Sequence, residues 1–454
     1  MSNSNSFPNL FSPRKIGPVE LKNRFVVAPM NETFSGINGE ATPQVISYFA
    51  ARAKGGYGLI TTGAIMGTKL ASRFVWGRNL NCFEPVHIQG LSLLTETVHH
   101  FGAQIAAQMT IGFGRQGHSA DHNELAPAAT GGLPYEEAVE KQPNAIAKSI
   151  RESEQSRTLL IGQNTYEMSI DTIHCEQKEF ARSCQLAAKA GFDVIDLHGP
   201  HGYLEHQFLS PLSNKRTDMY GGSWRNRKRF LMEVAEQIRY AAGPGIAVGC
   251  RISMHEHMEG GLTTEEMIDV AKNLEALGLD YISLSDGGGY EEAGHLVPDP
   301  DRWDHQPDTA AQFKKALKIP VILVGAHDPV LAESILTEGK ADLIAHGRQS
   351  FADPDLPNKV RAGKLNNIIV CKRCNLCLLR ALGDCGGPRC PLNPNLGREY
   401  AIPEYQIGPR GKDEPFTPRG VAAGLPVLDR PWWKPSELGY MEKAWIPFRG
   451  PGPR

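Results

Sequence analysis

The chain has no long hydrophobic run, no excess of either charge and no apolar leader, and each absence removes a class of function. No stretch of its 454 residues approaches the roughly 18 consecutive apolar residues of a membrane-spanning helix. Lysine and arginine number 48 against 50 aspartates and glutamates, a net charge of −2, which argues against nucleic acid as the main partner. The opening MSNSNSFPNLFSPRK lacks the core of a signal peptide, so the expectation is a cytoplasmic protein. Hydrophobic residues make up 41% and charged residues 22%, ordinary usage that excludes wholesale disorder.

What is present is a rhythm of short apolar, β-branched runs, each followed by a loop and a helical pattern. In order they are Arg24–Pro29, Leu59–Gly63, Gln104–Met109, Asp193–His198, Ile246–Ser253, Tyr281–Ser285, Val321–Gly325 and Asp342–Gly347. Continuous apolar runs of this length suit strands covered on both faces, as in a parallel sheet. Amphipathic segments such as Thr264–Leu277 and Pro329–Glu338 follow them. Eight strand–helix units predict a TIM (β/α)8 barrel over residues 1–365, with a doubly wound sheet as the alternative, because periodicity alone does not show closure.

Two regions break the rhythm. Residues 116–170, between the third and fourth runs, are long, polar and dotted with glycine and proline. Such an insertion is usually functional, and as a βα connection it is expected on the catalytic face. The tail, residues 401–454, holds ten of the 32 prolines and the run Pro431-Trp432-Trp433-Lys434-Pro435. It is expected to be extended and to dock through its aromatics, with a homo- or hetero-oligomer contact as one use.

Between them, residues 366–400 gather five of the nine cysteines. Cys371, Cys374 and Cys377 stand at every third position, and Cys390-Pro391 follows twelve residues later. Three closely spaced thiolates and a distant fourth suit a [4Fe–4S] cluster better than zinc, where paired knuckles are usual, although zinc stays open. A disulfide framework does not fit a chain with no sign of secretion. Cys385, in the intervening loop, reads as a bystander.

The motifs then point to a family. LFSPRKIGPVELKNRFVVAPMN (residues 10–31) resembles the opening of the old yellow enzyme family of flavin-dependent barrels. HGPHGYLEHQFLSPLSNKRTDMYGGSWRNRKRF (198–230) is similar to its central signature, and ADLIAHGRQSFADPDLPNKVRAGK (341–364) to its phosphate-binding end. The cysteine spacing resembles the iron–sulfur branch that includes 2,4-dienoyl-CoA reductase and trimethylamine dehydrogenase. The resemblance implies FMN as cofactor. It would be held by Pro29, Met30 and Asn31 after the first strand, Gly63 after the second, Gln108 on the third and Arg251 on the fifth. Gly325, Ala326, Gly347 and Arg348 would hold the phosphate, where glycines admit backbone N–H groups and arginine pairs with the anion. The resemblance also implies that His198 and His201 bind a substrate carbonyl while Tyr203 protonates the carbon α to it. Arg225, Arg227 and Arg229 read as structural partners of nearby carboxylates.

The chain departs from the family in two places. Gln108-Met-Thr-Ile111-Gly-Phe-Gly114-Arg115 is one residue longer than the usual third-strand pattern and lacks its histidine. Gly289-Tyr290-Glu291-Glu292 stands where the dienoyl-CoA branch carries a histidine, with His295 a little further on. The expected reaction is reduction of an activated C=C bond of an unsaturated ketone or enoyl thioester. The alternative is an amine dehydrogenase or N-demethylase passing electrons out through the cluster, and a third class is a non-catalytic electron-transfer subunit. No glycine-rich nucleotide-binding turn follows residue 400. The expected electron partner is therefore a separate flavoprotein, flavodoxin or ferredoxin-type protein.

Overall fold

The computed structural model describes residues 6–74, 78–117, 126–129, 165–287, 300–378, 380–381 and 386–407. A short antiparallel hairpin comes first: β1 (Arg14–Ile16) pairs with β2 (Val19–Leu21). Then follow β3 (Phe25–Val27), α1 (Pro43–Lys54), β4 (Leu59–Thr61), β5 (Ile65–Met66), α2 (Ile88–His100) and β6 (Gln104–Thr110). Next are β7 (Ala126–Ala128), β8 (Thr165–Glu167), α3 (Ile170–Lys189), β9 (Val194–His198), α4 (Leu204–Leu209), α5 (Trp224–Ala242) and β10 (Ala247–Ser253). The chain continues through α6 (Thr264–Ala276), β11 (Tyr281–Ser285), α7 (Pro300–Ala316), β12 (Val321–Val324), α8 (Pro329–Thr337), β13 (Leu343–His346), α9 (Arg348–Ala352) and α10 (Leu356–Arg361).

Eight parallel strands close in the order β3-β4-β6-β9-β10-β11-β12-β13, and β13 returns to pair with β3. Closure removes the doubly wound alternative. All eight expected runs contain a barrel strand; six are trimmed by a residue or more at an end, Tyr281–Ser285 matches its run, and β6 runs one residue past its expected end to Thr110.

The lumen explains how the same strands build both a core and a site. One buried residue from each strand forms its lower layer: Val26, Leu59, Ala106, Val194, Ala247, Tyr281, Ile322 and Leu343. Ile16, Val19 and Leu21 of the hairpin join this cluster, so the hairpin fills the N-terminal end of the barrel. Strand periodicity of two then carries polar residues up the same inner face, from Val194 to Asp196 to His198 on β9 and from Ala247 to Arg251 on β10. Gly249, the step between, is required by size, because a Cβ there would lie 2.2 Å from the Tyr281 ring.

Helix starts are written in the local sequence. Thr42 caps α1 with Pro43 behind it, Ser169 caps α3, Ser223 caps α5, and Thr263 with Glu266 forms a capping box on α6. The insertion is partly regular: β7 pairs with β8, and Arg216 Nη1 donates to the carbonyls of Ala129 and Met168. Its first residues stand on the catalytic face, where Gln116 Nε2 donates to His201 O at 2.6 Å. Residues 130–164 lie outside the described residues, as does the tail beyond 407 with Trp432 and Trp433. Residues 401–407 pack on α1, with Gln406 Nε2 donating to Ser47 Oγ.

Candidate active site

Three rings meet where β9 ends. His198 closes the strand, and the turn Gly199–Gly202 carries His201 in a left-handed backbone conformation at φ 66°. A non-glycine residue pays for that conformation, and it persists where the surroundings hold it; here the Ser253 hydroxyl accepts from His201 N at 3.3 Å. Tyr203 follows as the residue that starts α4. Ring centroids stand 5.5 Å apart for His198–His201, 5.1 Å for His198–Tyr203 and 6.3 Å for His201–Tyr203. Phe113, after β6, meets the Tyr203 ring edge-on at 5.1 Å.

A hydrogen-bonded relay fixes one of these histidines. Arg251 Nη2 donates to Ser285 Oγ at 3.0 Å, and the same oxygen lies 2.6 Å from His201 Nε2. The Ser285 hydroxyl thus bridges the guanidinium and Nε2 and fixes the orientation of the His201 ring. Lower in the lumen, Asp196 accepts from Gln108 Nε2 at 2.7 Å and from Tyr281 OH at 2.7 Å. Burial raises the Asp196 carboxyl and lowers Arg251 to about 10. Burial likewise pushes the Tyr203 phenol up, with Arg251 opposing, so the phenol keeps its proton at neutral pH.

The residues expected to hold FMN come to this same end of the barrel. Pro29, Met30 and Asn31 follow β3, Gly63 follows β4, Gln108 lies on β6 and Arg251 on β10. Gly63 permits a close approach, since a Cβ there would lie 2.4 Å from Met30 O. Arg251 Nε and Asn31 Nδ2 are buried donors with no hydrogen-bond partner among the described residues, a provision that a planar group rich in acceptors satisfies. Gly325 and Ala326 follow β12 with φ of 123° and 45°, and Gly347 and Arg348 follow β13. Two histidines beside them, His327 and His346, are lowered to about 3 and about 4, chiefly by burial.

Arg348 ties this end to the cysteines. Its Nη1 donates to Asn375 Oδ1, while Gln349 pairs with the backbone at Ile369 O and Cys371 N, both at 2.9 Å. Cys371, Cys374, Cys377 and Cys390 are free thiols; the first three interact electrostatically with Arg348, and Cys390 with Cys371 and Cys377. Burial raises Cys371, and it raises Cys377 to about 11. Arg373 and Asn375, between the thiols, adopt left-handed φ of 54° and 57°, and Arg373 N donates to Cys371 Sγ at 3.4 Å. Among the described residues no three His, Cys, Asp or Glu converge on a single-ion site. Four soft donors, none of them in a disulfide, fit a cluster in donor type and number. Cys385 lies outside the described residues.

A family profile for NADH:flavin oxidoreductases and NADH oxidases matches residues 9–367. The chain belongs to that family. The family is one of flavin-dependent oxidoreductases of the old yellow enzyme type. It is 34% identical over 441 residues to an NADH oxidase of Thermoanaerobacter brockii, covering 93% of this chain and 62% of that protein. It is 31% identical to a cinnamate reductase of Clostridium sporogenes, covering 86% and 58%. Among solved structures, a 2-naphthoyl-CoA reductase superposes with a TM-score of 0.76 at 27% identity, over 87% of this chain and 58% of that one. A histamine dehydrogenase from Rhizobium sp. 4-9 gives 0.72 at 26%, over 87% and 53%. The chain thus spans about three fifths of the length of the first two relatives.

Several residues of this oxidoreductase site were not singled out by motif: Ser253, Ser285, Asp196 and Gln349. The signal was available, because polar residues at alternate positions in otherwise apolar strands mark an inner face that turns from core to site. Arg227 and Arg229 do pair with carboxylates, Glu266 at 3.5 Å and Glu233 at 3.7 Å.

Proposed function

We propose that the chain reduces an activated C=C bond conjugated to a ketone or thioester, and that one observation carries this reading. A phenol that keeps its proton stands against two imidazoles, with ring centroids 5.1 Å and 6.3 Å away, over a buried arginine. FMN, when bound through Pro29, Met30, Asn31, Gly63, Gln108, Arg251 and the 325–326 and 347–348 loops, supplies a hydride equivalent to the β carbon. His198 and His201 hold the carbonyl oxygen and stabilise the negative charge that builds there. Tyr203 then delivers its hydroxyl proton to the α carbon as general acid. Arg251 would offer positive charge that stabilises the anion of reduced flavin.

Cys371, Cys374, Cys377 and Cys390 would hold a [4Fe–4S] cluster, which supplies one-electron transfer from a separate flavoprotein, flavodoxin or ferredoxin-type partner. A cinnamate reductase and a 2-naphthoyl-CoA reductase among the similar proteins support reduction. The histamine dehydrogenase supports the opposite direction, oxidation of an amine.

Tyr203→Phe separates these readings. The expected result is loss of enone turnover by about 10²- to 10⁴-fold with flavin content retained. Anaerobic titration with enones, enoyl thioesters and amines, read in the flavin spectrum, reports direction. Unchanged enone reduction in Tyr203→Phe, or flavin reduction by amines alone, would overturn the assignment.

A further inference from the structure

The loop from Cys371 to Cys377 is pinned on both sides of Arg373. Gln349 Oε1 accepts from Cys371 N at 2.9 Å, and Arg348 Nη1 donates to Asn375 Oδ1. Arg373, midway between these ties, is therefore held beside the start of α9, where Gly347 and Arg348 leave β13. Its backbone is left-handed, at φ 54°. Asn375, at φ 57°, belongs to a residue type enriched in that region. An arginine there is uncommon, and glycine would adopt the conformation without strain. Such an outlier points to a use for the side chain.

The charges around Arg373 say what that use is. Arg373 acts electrostatically on Arg348, and both guanidinium groups act on His327. Three basic side chains thus come together from three loops: His327 after Gly325 and Ala326, Arg348 after Gly347, and Arg373 from the cysteine segment. No carboxylate is among the charges that reach His327 from the described residues. Asp353, which ends α9, is taken up by Lys359 Nζ at 2.7 Å and by Ile369 N at 2.9 Å. Arg373 is half-buried, and its guanidinium has no hydrogen-bond or ion-pair partner among the described residues. Walls of one sign of charge concentrate an anion between them, and a guanidinium matches the oxygens of a phosphate.

Resting on the flavin assignment, we propose that Arg373 is a second guanidinium ligand for the FMN phosphate beside Arg348, so that the cysteine loop itself completes the flavin site. A phosphate monoester carries up to two negative charges near neutral pH, more than one arginine neutralises. Seating of the flavin and seating of the cysteine loop are then coupled through a single side chain.

The test uses the full chain freed of flavin by dialysis and titrated with FMN and with riboflavin, which lacks only the phosphate. Kd is read from quenching of flavin fluorescence. The expected result is FMN bound about a hundredfold or more tightly than riboflavin. Arg373→Gly, which also relieves the left-handed strain, should weaken FMN by about tenfold or more and leave riboflavin unchanged. Arg373→Lys, which keeps the charge, should fall between. An unchanged FMN-to-riboflavin ratio in Arg373→Gly overturns the assignment and leaves the flavin reading standing. An equal loss of both flavins in that variant, the mark of a structural role, overturns it as well. Failure of the unaltered chain to bind either flavin overturns both.

Discussion

At the level of single residues, the site divides into what one motif carries and what several strands assemble. His198, His201 and Tyr203 share six consecutive positions, so the sequence shows them together. Ser285 and Arg251, which orient His201, come from two further strands, and only barrel closure brings them within 3.0 Å. Ser285→Ala removes the hydroxyl that orients the His201 ring and should lower enone kcat/KM about 10- to 100-fold, as loss of such supporting hydrogen bonds does elsewhere; steady-state kinetics at constant flavin content check this. Glu205, two residues after Tyr203 but turned toward β6, accepts from Ile111 N at 3.1 Å with no cation opposite among the described residues, and burial raises it to about 8. That value lies above its ordinary 4.5. The folded chain therefore holds a proton that the unfolded chain has released, and stability falls as pH rises through that window. The slope reaches about 1.4 kcal/mol per pH unit at most. Glu205→Gln should flatten it, so that the difference in Tm between pH 6 and pH 9 shrinks in the variant.

Among elements, the eight barrel strands were legible because each is a buried, β-branched run bounded by loop residues. The hairpin was not, since Arg14–Ile16 and Val19–Leu21 are three residues each and mix charged with apolar side chains. Its alternation becomes meaningful only against a lumen that needs filling. The ends of the insertion were hidden for the same reason: Ala126–Ala128 and Thr165–Glu167 become strands by pairing across more than thirty intervening residues. On β10 the constraint is steric. Gly249→Ala places a methyl group 2.2 Å from the Tyr281 ring and strains the Tyr281–Asp196 bond below the site. Overpacking of this kind costs about 1–3 kcal/mol. Chemical denaturation should show it as a lower midpoint with an unchanged slope.

For the molecule as a whole, the cysteine segment is fastened to the barrel by polar contacts that no local pattern announces. Arg52 and Glu399, at 0% and 2% side-chain exposure, pair at 3.3 Å across 347 residues, and the guanidinium lies 3.6 Å from the Tyr48 ring centre. Removing one member of such a pair leaves a buried charge uncompensated, typically at 3–5 kcal/mol. Glu399→Gln should loosen the segment from α1, and Cys377 should then react with a thiol reagent about a hundredfold faster or more in chelator-treated protein. The hairpin at the opposite end has a consequence for traffic. Because it stoppers the barrel, molecules reach His198 and Tyr203 from one doorway, and two that need the same shelf must queue. Under the proposed function, electrons carried by a cluster on the four thiols would bypass the queue. An acceptor could then stay seated while the reducing power is replenished, and turnover would be freed from the alternating visits that a soluble hydride donor imposes.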